Sequence, residues 1–166
     1  MIGHTEQLIA RYSQKGLLID TNILLLLFIG SYDQNLIRNF KRTVQFTIED
    51  YDLLVVLLRP FNKLVTTPNI LTEVTNLSGQ LGEPARSSYF RTFAEGIKLL
   101  EEEYVESQKI AGHAEFVKIG LTDVGIWTVS EGNYLVLTDD FKLSQLLGSK
   151  GVDVINFNHL RPLGWT

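Results

Sequence analysis

Leu17-Leu18-Ile19-Asp20-Thr21-Asn22, with the apolar run Ile23 to Ile29 behind it, is the stretch on which the reading of the fold turns. Three successive aliphatic residues predict a short strand buried on both faces, as in parallel sheets. Asp20 closes that strand, and Asn22 follows two residues on. In an open α/β sheet, sites are built from polar groups at the carboxyl ends of strands. Asp20 is therefore the anchor against which the other acids are judged.

On the amino-terminal side, residues 1–15 predict a short helix that Gly16 ends. On the other side, Ile23 to Ile29 predicts a buried helix with Gly30 as its stop. Residues 33–58 read as helical with a break near Thr43 to Thr47. Arg59-Pro60 closes that segment. Lys63 to Thr66 predicts the second strand. Thr67 then caps a helix that has Pro68 in its first position and Glu73 in its second turn. After a loop at residues 78–84, apolar spacings of three and four predict one long helix from Arg86 to Ala111. Its Glu101-Glu102-Glu103 run would be a solvated face. Gly120-Leu121-Thr122-Asp123 opens another helix, with Thr122 as the cap, and Gly132-Asn133 stops it. Tyr134 to Leu137 is a third strand, closed by Thr138-Asp139-Asp140. A helix from Phe141 to Leu147, ending at Gly148, and a final strand from Val152 to Phe157 complete the chain. Strands alternating with helices predict an α/β three-layer sandwich in one domain spanning residues 1–166. Its sheet is mostly parallel, with about 4–5 strands and helices on both faces.

The 166 residues suffice for one domain with a sizeable core. The hydrophobic fraction of 45% and charged fraction of 20% belong to an ordinary globular chain. With no cysteine there are no disulfides, thiolate zinc sites or cysteine nucleophiles. His4, His113 and His159 show no metal-ligand spacing, so a metal site would be built from oxygen, which suits Mg²⁺ or Mn²⁺. The net charge of −4 supplies no global basic footprint for nucleic acid. No apolar run reaches the ~20 residues of a membrane span, and no signal peptide is visible. A cytoplasmic protein is expected.

Taken singly, each acid has a structural explanation: Asp20, Asp139 or Asp140 as helix caps, Glu73 and Asp123 as favourable charges near helix starts. Taken together they point elsewhere. Asp20 and the Asp139-Asp140 pair close two parallel strands, while Glu73 and Asp123 sit in early turns of helices that leave the same sheet edge. Four or five carboxylates converging without a histidine or cysteine repel one another unless cations neutralise them. Two hard divalent cations ~3.5–4 Å apart are a common clamp for in-line attack on a phosphodiester.

This order of motifs resembles the PIN domain family. The matches are the strand-Asp-Thr-Asn motif at Ile19 to Asn22, Glu73 in Ile70-Leu71-Thr72-Glu73-Val74, and Asp123 opening a late helix. Leu137-Thr138-Asp139-Asp140 looks like the family's strand-Thr-X-Asp motif. The resemblance implies a metal-dependent ribonuclease in which Asp20, Glu73, Asp123 and Asp140 hold Mg²⁺ or Mn²⁺, with Asp139 as the neighbouring alternative. Asn22 and Thr138 would orient these acids. It further implies RNA as substrate and, as in VapC-type toxins, an antitoxin protein and a homodimer. The segments between the first two strands and from Arg86 to Lys118 are longer than in the most compact toxins. Arg11, Lys15, Arg38, Lys41, Arg42, Arg86, Arg91 and Lys142 are candidate RNA contacts, with Tyr32 or Tyr89 to stack bases. Trp127, Phe90 and Phe93 read as core, and Trp165 as a packing or partner contact.

Two other readings compete. A phosphatase resembling the haloacid dehalogenase class also starts from a strand ending in Asp-X-Asp, but Asn22 stands where its general acid belongs, and Glu73 and Asp123 would lack a role. A non-catalytic PIN-like binding module has no reason to keep four acids. Walker loops, dinucleotide turns and Gly-X-Ser-X-Gly elbows are absent.

Overall fold

A computed structural model describes residues 2–161; Trp165 lies outside them. Leu17, Leu18 and Ile19 form β1 (Leu17–Ile19), and each is 0% exposed. Adjacent strand residues point to opposite faces, so burial of all three requires cover on both sides. Among the described residues five strands form one all-parallel sheet. β1 lies at its centre, between β2 (Leu64–Thr66) and β4 (Leu135–Thr138), while β3 (Glu101–Glu102) and β5 (Val154–Asn156) form the edges. The strands step outward from β1 through β2 to β3 in one direction and through β4 to β5 in the other. Right-handed crossovers then place helices on opposite faces, giving a three-layer α/β sandwich. The order reverses between β1 and β4, which is the switch point of an open sheet.

The helices are α1 (Ile2–Tyr12), α2 (Thr21–Tyr32), α3 (Asn35–Asn39), α4 (Ile48–Leu58) and α5 (Pro68–Ser78), then α6 (Ala85–Ile97), α7 (Ser107–Ala111), α8 (Phe116–Ser130) and α9 (Phe141–Ser149). Their starts follow from local chemistry. Asp20 accepts from the Thr21 N–H, Thr67 caps the Ile70 N–H ahead of Pro68, and Asp140 caps the Leu143 N–H. Thr47 and Asp50 form a reciprocal capping box on α4. Helix α2 is almost wholly apolar because it is enclosed, packing against α4, α5 and α6 as well as the sheet. Trp127 and Phe93 are buried in the core, as expected, and Phe90 packs against it.

Four local expectations need correction. The long helix from Arg86 to Ala111 does not exist: α6 stops at Ile97, and Glu101-Glu102 becomes edge strand β3, paired in parallel with Val65-Thr66. Gly30 lies inside α2, which ends at Tyr32 with Asp33 as C-cap. Gly30 is needed because a Cβ there would come within 2.2 Å of the Tyr51 ring on α4. Gly148 is likewise inside α9, and the positive φ of 79° falls at Gly151. The last strand is shorter than read, its end turning into a 3₁₀ segment at Phe157–His159. No helix among the described residues is long and apolar enough to cross a membrane.

Candidate active site at the switch point

The parallel register aligns Ile19 with Leu137, so Asp20 and Thr138 leave the sheet side by side at the carboxyl ends of β1 and β4. The Thr138 hydroxyl is fully buried and donates to Asp20 Oδ2 at 2.6 Å. It also accepts from the Asp140 N–H at 3.0 Å. Asp20 Oδ1 accepts from the Thr21 N–H at 2.7 Å. Thr138 thus ties the two strand ends together and fixes the Asp20 carboxylate plane.

Glu73 reaches the same edge from α5. Its Oε2 accepts from Thr21 Oγ1 at 2.8 Å and its Oε1 from Thr122 Oγ1 at 2.5 Å. The sequence does not point to either role: Thr21 belongs to the Asp-Thr-Asn motif, and Thr122 reads as a helix cap. Helix α8 instead begins at Phe116 and breaks at Gly120, whose backbone (φ 79°, ψ −175°) is not helical. The piece beyond the break carries Thr122 and Asp123. Asn22 Nδ2 donates to both Asp139 oxygens, at 3.3 and 3.4 Å. Asp140 Oδ1 is occupied by the Leu143 N–H at 3.0 Å.

Electrostatics connect all five acids. Burial, followed by repulsion from Asp139 and Glu73, pushes Asp20 up to about 6 against the lowering effect of its bonds from Thr138 and Thr21. Burial, then Asp20, Asp140 and Glu73, pushes Asp123 up to about 7. Asp139 is also raised by burial and by Asp140, with the Asn22 bond and the more distant charge of Arg161 opposing. Among the described residues no lysine, arginine or histidine pairs with any of these carboxylates. Nor do any three histidines or acids stand close enough together to form a ready-made metal cage. Each carboxylate except Asp123 is held by its own hydrogen bonds. The site is therefore a set of repelling acids, two of which, Glu73 and Asp123, line a cleft of roughly 540 Å³.

The expected RNA contacts fare unevenly. Tyr89 is 0% exposed and stacked on Phe93, so it cannot receive a base. Arg11, Arg38 and Arg86 pair with Asp153, Glu49 and Glu83, and Arg42 donates to Gln80. Lys41, Arg91 and Lys142 are exposed. In comparisons with known proteins, no family model, curated protein or solved structure matches this chain.

Proposed function

We propose that this cleft is the active site of a Mg²⁺- or Mn²⁺-dependent endoribonuclease with the PIN-type order of acids. The observation that carries the reading is the gathering of Asp20, Glu73, Asp123, Asp139 and Asp140 where β1 and β4 end, with no cation paired to any of them among the described residues. Carboxylates gathered in this way are relieved by a hard divalent ion, and an all-oxygen donor set suits Mg²⁺ or Mn²⁺. Asp20, Glu73, Asp123 and either Asp139 or Asp140 would hold it by closing in from their present spacing, in which no three stand close enough to cage an ion. When bound, such an ion supplies Lewis-acid polarisation of the phosphodiester and activation of water.

The chain's own part is orientation. Thr138 and the Thr21 N–H fix Asp20, Thr21 and Thr122 fix Glu73, and Asn22 fixes Asp139. Asp123 has no such hydrogen bond among the described residues. No side chain in the site is a natural dedicated base apart from these carboxylates. The reading extends to a toxin held in check by an antitoxin protein, and to a dimer, as in the proteins it resembles.

The test is cleavage of a mixed pool of structured and single-stranded labelled RNAs with Mn²⁺, with Mg²⁺ and with EDTA, by the parent and by Asp20→Asn. Metal-dependent cutting that the variant loses supports the nuclease. Cutting retained by a folded Asp20→Asn protein overturns it. Mn²⁺ binding without cutting would favour the phosphatase reading, and neither binding nor cutting a non-catalytic module.

A further inference from the structure

We propose that the cleft beside Glu73 and Asp123 is a nucleobase pocket, with the Asn69 side-chain amide reading the edge of the base. The inference rests on the nucleic-acid reading above and adds the part of the substrate that this pocket takes. Its volume, roughly 540 Å³, falls in the usual range for small-molecule sites and is large enough for a nucleoside. Glu73, Asp123 and Thr122 share its wall with Asn69, Thr72, Ile119, Gly120 and Leu121, and the lining holds no lysine, arginine or histidine. A wall without cations, beside two carboxylates, does not hold a phosphate. It suits a flat, uncharged heterocycle.

The polar groups narrow the choice further. The Thr72 hydroxyl is already committed to the Pro68 carbonyl at 2.9 Å. Asn69 lies half-buried in the first turn of α5, and its side chain donates to and accepts from no group among the described residues. Its amide offers a donor and an acceptor side by side, the pattern that makes bidentate contact with a base edge. The break at Gly120 forms the opposite wall, setting Ile119 and Leu121 on either side of a non-helical residue. The acids in the lining are therefore available to the reacting phosphodiester and Asn69 to the base attached to it.

Adenosine, cytidine, guanosine and uridine are suitable probes because none carries a phosphate and none needs a metal to approach the acids. Titrated into the labelled protein, at least one should shift the Asn69 side-chain amide and the Gly120 and Leu121 backbone amides saturably. Asn69→Ala should weaken that binding about tenfold, the loss of two hydrogen bonds. In the RNA-pool assay the same variant should change which base is found beside the cut. If no nucleoside moves those signals in the folded protein, the pocket is refuted, whatever the RNA assay shows. An unchanged base preference in Asn69→Ala also refutes it. If nucleosides bind at Asn69 but the parent cuts no RNA, the pocket stands and the nuclease falls.

Discussion

Asp123 keeps its proton up to about pH 7 in the folded chain, whereas an ordinary aspartate releases it near 3.8. Between those values the folded state binds more protons than the unfolded state, so stability falls as pH rises. Asp20, raised to about 6, adds to the same trend. Below both ordinary values the penalty vanishes; above about pH 7 it is fully present. The melting temperature of the metal-free protein is therefore expected to fall from about pH 4 to about pH 7. Asp123→Asn, which breaks no hydrogen bond among the described residues, should flatten that descent and raise the melting temperature at about pH 8. A variant no more stable than the parent there would show that the repulsion is not felt. Thr138→Val probes the same site from beneath. It removes the donor to Asp20 and the acceptor for the Asp140 N–H, at a cost of about 1–3 kcal/mol in denaturant unfolding. The Asp20 carboxyl, followed by carbon-detected titration, should then move above its present value. At this scale the sequence is most legible in Asp20 and Thr67, because a strand end or a helix start needs a polar cap and each supplies one locally; for the last helix it leaves Asp139 and Asp140 open, and Asp140 is the cap. The threonine hydroxyls on Glu73 were hidden, since Thr21 and Thr122 lie 52 and 49 residues from their partner.

Helix α2 shows what pattern alone leaves undecided. An all-apolar run with a glycine reads equally as a stop or as a point of close approach, and Gly30 is the second because Tyr51 lies against it. Gly30→Ala should destabilise the protein by about 1–3 kcal/mol through overpacking between α2 and α4. Coupling to Tyr51→Ala in a double-mutant cycle would locate the cost in that contact, and additivity would place it elsewhere. Strand β3 escaped notice for another reason. Two glutamates carry little strand propensity, and their pairing is decided by β2 alongside, not by their own side chains. Acidic residues at an exposed edge also discourage pairing with another chain. The central strands, by contrast, were legible because complete burial leaves an unbroken aliphatic run.

Across the whole molecule, the 3₁₀ segment after β5 is tied both to α4 and to the acid site. Arg161 makes a two-pronged pair with Asp50, Nε to Oδ1 and Nη2 to Oδ2, each 2.9 Å, and Asp50 is 0% exposed. Arg161 also donates to Asn158 Oδ1, and Asn158 Nδ2 donates to the Asp139 carbonyl at 2.8 Å. Arg161→Ala leaves a buried carboxylate unpaired and should cost about 3–5 kcal/mol, read from the denaturant midpoint. A loss of under about 1 kcal/mol would show that Asp50 is satisfied by its capping box alone. Pairs 111 residues apart carry no local signature, which is why this tie was invisible in the sequence.

The hydrogen bond from Thr138 to Asp20 joins residues 118 apart and crosses the centre of the sheet. On a ribosome, β1 emerges early but waits for β4, the neighbour whose end completes the cleft, until most of the domain has been synthesised. Contacts of such long range also form slowly. A nascent chain interrupted before Leu135 carries Asp20 and Glu73 but has no Thr138 to set the first and no Asp140 beside it. Any activity residing in these acids is thus withheld from unfinished chains by the order in which the strands are made.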